Sequence, residues 1–458
     1  MWLPEITGSA GPKYLSISAA LGRDIAAGTL RPGDRLPPQR ELAEALRIDL
    51  GTVTRAYAEA RRLGLIDADG RRGSFVREPD NAFSGEQVAP FDTGMNLPPL
   101  PLRSSLPERY AEALREVLAG PTAAMRLQYQ PGGGAPLDRQ AGADWLAERG
   151  IPAHEDTVLV VSGAQTALHA IANAALEPGD AVCTGRFVYP GWLAIARRLG
   201  LQIVPLPGDD QGIDPEALDR ACTDGTVRAV YLVPSNDNPT TATMDLARRQ
   251  AIVAVARRHD IKIIEDDAYG RLGADPLPPL ASLAPERTWH VASLSKIVSP
   301  ALRVAYLRAP SLRDAWRLAA DVHETTVMAP PLNVAAASQW LRDGTWSQLV
   351  GEVRAECVAR QAIVAELLPA DSYRADPEGY HLWIPLAGDI APAELAAALA
   401  PAGLSAVASE TFAADRAETA RGIRVSIGGS LGRDRLARAL ELLDALLHHR
   451  GSRALPLV

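Results

Sequence analysis

Apolar residues in the first 77 positions recur at helical spacing in three stretches. These stretches cover residues 14–27, a short segment over 36–46, and a longer one from about 51 to 63. Two brief apolar segments, 65–68 and 74–76, flank a turn rich in glycine and arginine. The pattern predicts three helices followed by a two-stranded wing, which is the order of a winged helix-turn-helix.

From about residue 157 to 310, short apolar stretches alternate with stretches of helical spacing. Strands are predicted at 157–163, 181–184, 202–206, 228–233, 261–265, 288–292 and 304–307, and helices at 165–176, 192–199, 215–221 and 248–259. Several of these strands are apolar on both faces, which is typical of a largely parallel sheet covered by helices on both sides. We therefore predict an α/β fold that binds its ligand at the carboxyl ends of the strands.

The length of 458 residues exceeds what one hydrophobic core supports, so several domains are expected. We predict a first domain over 1–77, a polar linker over 78–92 and a second domain over 93–458. The second domain divides into a large part at about 120–310 and a small part at about 311–458. The small part also includes a proline-rich N-terminal arm around 96–101.

Composition predicts a cytoplasmic globular protein without a membrane partner. Hydrophobic residues make up 47% and charged residues 22% of the chain, and no apolar stretch is long enough to cross a membrane. No secretory signal is visible at the N-terminus. Cys183, Cys222 and Cys357 are far apart and odd in number, so we expect reduced thiols rather than a disulfide framework or a metal site.

Charge is distributed unevenly between the two predicted domains. The chain carries a net charge of −8, whereas residues 1–77 hold 12 Lys and Arg against 9 Asp and Glu. The first domain is thus basic and the remainder acidic, which favours nucleic-acid binding by the first domain. The candidate DNA-contacting residues are Thr52, Thr54 and Arg55 on the third helix, Arg40 on the second, and Arg71 and Arg72 at the wing tip. The pattern alone equally allows a small helical docking domain with solvated arginines.

Three motifs in this domain resemble those of GntR-type winged-helix repressors. They are Leu36-Pro37-Pro38-Gln39-Arg40-Glu41-Leu42-Ala43, Thr52-Val53-Thr54-Arg55-Ala56-Tyr57 and Gly73-Ser74-Phe75-Val76, which follow one another in the family's order within residues 13–77. The resemblance implies that the partner is a double-stranded DNA operator. One departure is that Asp49-Leu50-Gly51 stands where many relatives carry Ser-Arg.

Lys296 constrains the chemistry of the second domain most. It lies just past a predicted strand, Arg303 follows it, and Asp266 and Tyr269 end another predicted strand. Pyridoxal phosphate needs such a set: a lysine to form an imine, an acid facing the pyridine nitrogen, and hydroxyls and a cation for the phosphate. Taken singly, a lysine at a strand end is usually on the surface, and an acid there often caps a helix.

Further candidates follow other predicted strands. Gly163, Ala164 and Gln165 join a strand to a helix, where backbone amides bind phosphate. Tyr189 follows the next strand and suits stacking on a flat ring, and Asn238 precedes a proline after another strand. Each has an ordinary structural explanation, but their order on consecutive strands favours one shared site.

The second domain resembles the fold-type I, class I aminotransferases over some 350 residues. The resemblance implies that Lys296 forms the imine and is the catalytic residue, that Asp266 pairs with the pyridinium nitrogen, and that Tyr269 and Asn238 bind the ring hydroxyl. It also implies a phosphate site and a stacking residue from Gly163, Ala164, Gln165, Tyr189, Ser293, Ser295 and Arg303. Tyr129 resembles the tyrosine that reaches the neighbouring subunit's phosphate, and Arg424 the arginine that binds a substrate carboxylate. Thr241 replaces the glycine usual after Pro-Thr.

The combination of the two domains resembles the MocR family of bacterial transcriptional regulators. This implies a regulator that senses pyridoxal phosphate or its adduct with a small amino compound, and a head-to-tail homodimer. The alternative is a working aminotransferase with an attached DNA-binding domain, because its catalytic set looks complete. A third possibility is a purely structural scaffold, which would not bind the cofactor.

Overall fold

The computed structural model describes residues 2–4, 13–26, 29–30, 33–62, 65–69, 73–76, 94–386 and 390–448. The chain divides into two units, Met1–Gln87 and Val88–Val458. Arg71, Arg72 and the predicted linker 78–92 lie outside the described residues. None of the described helices is both long and apolar enough to cross a membrane.

The first unit contains the three helices and the hairpin that the sequence predicts. Its elements are α1 Lys13–Ala26, α2 Gln39–Leu46, α3 Leu50–Arg62, β1 Ile66–Asp69 and β2 Gly73–Val76. Leu21, Leu42, Val53 and Tyr57 are among the side chains that close its core, and the Tyr57 hydroxyl donates to the backbone oxygen of Pro37 at 2.8 Å. This bond ties α3 to the turn before α2, so the exposed face of α3 has a fixed orientation within the unit.

A mostly parallel seven-stranded sheet forms the centre of the second unit, as predicted. In chain order its strands are β3 Val158–Val161, β4 Ala181–Gly185, β5 Gln202–Leu206, β8 Val227–Leu232, β9 Lys262–Asp267, β10 Thr288–Ser293 and β11 Ala305–Arg308. Between β5 and β8, the short strands β6 Gly208–Asp209 and β7 Gly212–Ile213 form a separate hairpin. The sheet order is β3-β11-β10-β9-β8-β4-β5, and only β11 runs antiparallel to its neighbours. The carboxyl ends of six strands and the start of β11 therefore share one edge.

Helices accompany the sheet and continue beyond it. They are α4 Leu106–Ala119, α5 Ala123–Arg126, α6 Pro136–Ala147, α7 Ala164–Ala175, α8 Pro190–Arg198, α9 Pro215–Ala221, α10 Leu246–Arg258, α11 Leu280–Leu283, α12 Leu312–Thr326, α13 Pro331–Asp343 and α14 Thr345–Leu367. Helix α12 packs against α7, and α13 packs against α6. Strands β3, β10 and β11 are buried along their whole length because helices cover the sheet, whereas the edge strand β5 is mostly half-buried.

A second sheet follows α14 and has four antiparallel strands. Its elements are β12 Arg374–Ala375, β13 His381–Pro385, α15 Pro392–Leu399, β14 Ser405–Ala408, β15 Gly422–Ser426 and α16 Arg433–His448. The strand order is β12-β13-β15-β14, so β15 is a central strand and its residues are buried. Arg424 lies on this strand and is 2% exposed, which fixes its guanidinium within the domain.

Gly142 lets α6 approach the sheet closely. A Cβ atom at this position would overlap the ring of Tyr306 on β11, whereas a Cβ atom at Gly351 on α14 would meet no atom within 4 Å. We expect Gly142→Ala to lower the free energy of unfolding by about 1–3 kcal/mol through overpacking. Gly351→Ala is the control and should raise it by up to about 1 kcal/mol, because alanine is the better helix former. Urea unfolding measures both, and equal stability of the two variants would contradict this packing.

Candidate functional site

Asp266 lies at the carboxyl edge of the central sheet, near the end of β9. It is 4% exposed, and one of its oxygens, Oδ2, accepts a hydrogen bond from the Tyr231 hydroxyl at 2.9 Å. The other oxygen, Oδ1, is buried and has no partner among the described residues. Burial raises the pKa of Asp266 to about 6, against the opposing effect of the Tyr231 hydrogen bond. The site therefore contains a buried carboxylate oxygen that no described residue engages.

The two acids beside Asp266 are engaged elsewhere, because successive side chains of a strand face opposite sides of the sheet. Glu265 accepts from the backbone amides of Leu280 and Ala281 at 2.7 and 2.9 Å and contacts His290 at 2.7 Å. Asp267 forms a buried ion pair with Arg149. Asp267 also has one buried oxygen without a hydrogen-bond partner among the described residues. Burial raises its pKa, but the positive charge of Arg149 and its neighbours outweighs burial and lowers the pKa, whereas the pKa of Asp266 is raised.

Lys296 follows β10 and brings a primary amine to the same edge. Its Nζ donates to the backbone oxygen of Asn96 at 2.5 Å. Burial lowers its pKa to about 8, and the positive charge of Arg424 contributes in the same direction. Lysine occurs only three times in the chain, at positions 13, 262 and 296. Lys296 is thus a rare amine, and its neutral, nucleophilic form is more accessible than that of an ordinary exposed lysine.

The start of α7 and the segment before β11 form a cationic corner. Gly163 precedes α7 with a φ of +87°, and a Cβ atom there would lie 2.7 Å from a guanidinium nitrogen of Arg303. That guanidinium donates to the backbone oxygen of Ser162 at 2.8 Å. An exposed arginine beside a helix N-terminus is a suitable site for an anion.

Polar side chains of this corner keep unused hydrogen-bonding capacity. The Ser293 hydroxyl accepts from the backbone amide of Ser295 at 3.2 Å, and the Ser295 hydroxyl is buried without a partner in the described part of the chain. Gln165 donates to the backbone oxygen of Gly191 at 3.1 Å, which links the first turns of α7 and α8. Ala164 is the first residue of α7, so its backbone amide belongs to the same helix terminus.

Tyr189 and Tyr269 both lie close enough to Asp266 for its charge to affect their hydroxyls, and His381 lies beside Tyr269. Tyr189 precedes α8, and burial raises its pKa, with further opposite contributions from the charges of Asp266 and Arg303. Tyr269 is 4% exposed, and its ring lies 5.6 Å from that of His381. Flat side chains therefore line the space beside Asp266.

Asn238 and Arg424 meet across the two sheets of the unit. An Arg424 nitrogen donates to Asn238 Oδ1 at 3.3 Å, and another donates to the backbone oxygen of Gly94 at 2.6 Å. The loop that carries Asn238 is closed by a hydrogen bond from the backbone amide of Thr241 to the backbone oxygen of Asp237 at 2.7 Å. Thr241 has a φ of +63°, which explains why a glycine is common at this position in similar sequences.

The structure brings together all but one of the residues that the sequence predicts for the cofactor. Tyr129 is 82% exposed, and it takes part in none of the hydrogen bonds given above for the site.

Sequence reasoning missed three participants: Asn96, Tyr231 and His381. Asn96 was visible only as part of a proline-rich arm, and Tyr231 only as an apolar residue of a strand. No spacing rule connects them with Lys296, because their approach depends on the tertiary fold.

A cavity of about 380 Å³ is lined in part by Tyr231, whose hydroxyl donates to Asp266. Phe187, Asp237, Trp383 and Arg421 are among the residues that line it. Burial raises the pKa of Asp237 to about 6. Tyr231 is therefore a wall shared by this cavity and the Asp266 carboxylate.

In the first unit, the predicted DNA-contacting residues lie on one helix and its neighbour. Arg40, Thr54 and Arg55 are exposed, and Thr52 is half-buried. The Thr54 hydroxyl donates to Gln39 at 2.9 Å, which links α3 to α2. Asp49 accepts from the backbone amide of Gly51 at 2.7 Å and so caps α3. The unusual Asp49-Leu50-Gly51 segment thus has a structural role at the helix start.

Two sequence families match the chain. Residues 92–441 match the family "Aminotransferase class I and II", and residues 13–76 match "Bacterial regulatory proteins, gntR family". The first match covers the central sheet, the four-stranded sheet and all the residues of the candidate cofactor site. The second covers the three helices and the hairpin.

Similar proteins have the same domain combination. The HTH-type transcriptional regulator YdeF of Bacillus subtilis is 28% identical over 448 residues, which cover 97% of this chain and 96% of that protein. The vitamin B6 salvage pathway transcriptional repressor PtsJ of Salmonella typhimurium is 29% identical over 380 residues, which cover 80% and 84%.

The fold of the second unit also matches solved aminotransferase structures. Kynurenine aminotransferase of Pyrococcus horikoshii aligns with a TM-score of 0.71 at 22% identity, over 79% of this chain and 93% of that one. The chain therefore belongs to the aminotransferase class I and II family and, with its GntR-type helix-turn-helix, is a transcriptional regulator of the MocR type.

Proposed function

We propose that this regulator binds pyridoxal 5'-phosphate at Lys296 and senses either the cofactor itself or its adduct with a small amino compound. The observation that carries the proposal is the convergence of a buried amine, a buried carboxylate with one unsatisfied oxygen, and a cationic helix terminus at one sheet edge. When bound, pyridoxal phosphate supplies a carbonyl carbon for a primary amine and a ring that withdraws electrons.

The carboxylate and the tyrosines match the two polar positions of the pyridine ring. Asp266 would face the ring nitrogen with its unsatisfied Oδ1, while Tyr231 holds the other oxygen in place. A protonated ring nitrogen would in turn stabilise the ionised form of Asp266. Tyr269 and Asn238 would bind the ring hydroxyl, and Tyr189 would stack on the ring face.

The cationic corner matches the phosphate. Backbone amides at Gly163, Ala164 and Gln165, the hydroxyls of Ser293 and Ser295, and the Arg303 guanidinium would hold its oxygens. Gly163 is consistent with this assignment, because its φ of +87° disfavours other residues and a Cβ atom there would displace the Arg303 guanidinium from its present position.

Arg424 would bind a carboxylate of the effector. Its planar guanidinium is fixed on a central strand and suits bidentate binding of a carboxylate. The relative PtsJ is a repressor of a vitamin B6 salvage pathway, which supports a vitamin B6 compound as effector. An amino acid bound to the cofactor would take the place of Lys296 at the cofactor's carbonyl carbon, release the lysine amine and present its carboxylate to Arg424.

The protein is proposed to act as a homodimer on double-stranded DNA with repeated half-sites. Tyr129 would reach the phosphate bound in the partner subunit, and its exposure supports this assignment. Met125 and Leu127 nearby are also exposed, at 70% and 62%, as expected for apolar side chains that a partner covers. Arg40, Thr52, Thr54 and Arg55 would contact the DNA, with Arg71 and Arg72 at the wing.

An active aminotransferase with a DNA-binding module is the second candidate function. It is favoured by the hydrogen bond between Arg424 and Asn238, which places a carboxylate-binding group next to a ring-hydroxyl ligand. Sustained turnover of an amino acid with an oxo-acid acceptor would support the enzyme. A single conversion per bound cofactor would support the sensor.

Lys296→Ala should abolish covalent attachment of pyridoxal phosphate. Borohydride reduction followed by peptide mass spectrometry is expected to place the adduct on Lys296 in the native protein and to find none in the variant. Lys262→Ala, which removes another of the three lysines, is the control and should retain the adduct. An adduct on Lys13 or Lys262 in native protein would refute the assignment.

Asp266→Asn should weaken cofactor binding, since it removes a charge-assisted hydrogen bond. The expected loss is about 1.5–3 kcal/mol, or roughly 10- to 150-fold in Kd. Asp260→Asn makes the same change just before β9, where the side chain is 95% exposed, and should leave the Kd unchanged. Absorbance titrations measure both values. Equal affinities would remove Asp266 from the cofactor site.

Arg55→Ala should weaken binding to operator DNA and reduce the slope of log K against log salt by about one, because one phosphate contact is lost. Arg61→Ala removes the same charge from the other end of α3 and is the control. Fluorescence anisotropy at several salt concentrations gives both slopes. A slope that changes equally in the two variants would indicate a general charge effect rather than a contact.

A further inference from the structure

Residues 94–96 lie across the two cationic groups of the candidate site. Lys296 Nζ donates to the backbone oxygen of Asn96 at 2.5 Å, and an Arg424 nitrogen donates to the backbone oxygen of Gly94 at 2.6 Å. The two acceptors are carbonyl groups of one short segment. This segment therefore occupies the donors that the proposed function assigns to the cofactor and to the effector's carboxylate.

The side chain of Asn96 anchors the segment independently of these two cations. Asn96 is 2% exposed, and its Oδ1 accepts from the Ser426 hydroxyl at 2.8 Å. Its Nδ2 donates to the Tyr269 hydroxyl at 3.0 Å and approaches His381 Nδ1 at 3.1 Å. His381 Nε2 faces the backbone oxygen of Asp237 at 3.0 Å, so Nε2 carries the proton and Nδ1 accepts. Both polar atoms of the Asn96 amide are thus satisfied.

The chain after Asn96 is also held by contacts that a ligand in the site does not contest. The backbone amide of Leu100 donates to Gly429 at 3.1 Å, and the amide of Gly429 donates to Leu97 at the same distance. Asn96 therefore separates two parts of the chain with different contacts. The chain after it is bound to the four-stranded sheet, whereas Gly94 before it is bound to the carboxylate-binding arginine.

We propose that residues 94–96 form a latch, an internal competitor that a carboxylate ligand displaces from Arg424 while Asn96 stays anchored. The proposal rests on the proposed function in assigning the ligand's carboxylate to Arg424. An ionised carboxylate accepts a stronger hydrogen bond from a guanidinium than a neutral carbonyl does, and it can accept two in parallel. The ligand class is therefore a small compound with a free carboxylate, and an amine without a carboxylate leaves the latch closed.

The latch would link the binding of such a ligand to the DNA affinity of the GntR-type module. Residue 94 is covalently continuous with residues 77–93, which lead to the GntR-type module. Displacement of Gly94 from Arg424 frees the chain at its link to that module, while the domain beyond Asn96 remains as it is. We expect carboxylate ligands to change operator affinity and Asn96→Ala to mimic that change without a ligand.

Amide hydrogen exchange of the full-length protein tests the latch, with propionate and propylamine as probes. Propionate should accelerate exchange in the peptide that covers residues 93–97 but not at Leu100, whereas propylamine should do neither. Asn96→Ala removes the anchor and should bind propionate on the order of fivefold more tightly, the factor that corresponds to one net hydrogen bond. Asn173→Ala is the matched control, because it also removes an asparagine side chain that donates a hydrogen bond, in this case from α7 to Asp321 on α12 at 2.6 Å. It should bind propionate as native protein does.

Three results would overturn the latch: no binding of propionate, unchanged or slower exchange at 93–97 when propionate is saturating, or weaker propionate binding by Asn96→Ala. If that variant does not fold, Ser426→Ala removes one of the anchoring hydrogen bonds and should shift propionate affinity in the same direction by a smaller factor. Repeating the exchange experiment on cofactor-free protein separates the two proposals. If Lys296 fails to bind pyridoxal phosphate, the proposed function fails, but the effect of propionate persists.

Discussion

The candidate site depends on burial of ionisable groups at one edge of a parallel sheet. Burial raises the pKa of Asp266 to about 6 and lowers that of Lys296 to about 8, so each group is held in an environment that disfavours its charged form. Such groups persist in a fold only when they are hydrogen-bonded or have a partner to bind. One oxygen of Asp266 has no such partner among the described residues, whereas the Lys296 amine donates to the backbone oxygen of Asn96.

The N-terminal arm connects the two sheets of the second unit at the candidate site. Through Asn96 it connects the four-stranded sheet, at Ser426 and His381, with the central sheet, at Tyr269 and Lys296. A transcriptional regulator has to convert the binding of a small molecule into a change elsewhere in the chain, and that requires different contacts in the two states. In this chain the residues that contact both cations of the site are also the first described residues of the second unit, on the side of the chain that leads to the DNA-binding module.

Two departures from the related sequences have local structural explanations. Asp49 caps the start of α3 through its bond to Gly51, so the helix begins at the same place with a different residue there. Thr241 adopts a left-handed backbone conformation that favours glycine, and hydrogen bonds within its loop hold it there. Both positions keep the geometry of their neighbours, α3 in one case and Asn238 in the other.

The sequence by itself determined the order of the helices and strands in the first 77 residues, most of that order between about 157 and 310, the parallel character of the central sheet and the edge at which Asp266 and Lys296 meet. These follow from local periodicity and from the rule that parallel strands end at a common edge. Only the tertiary structure revealed the contacts of Asn96, Tyr231 and His381, and it showed how the surroundings of Asp266 differ from those of Glu265 and Asp267. The reason is that a hydrogen bond such as that between Asn96 and Tyr269 joins residues 173 positions apart. Such contacts depend on how the layers pack, and a linear pattern contains no signal for them.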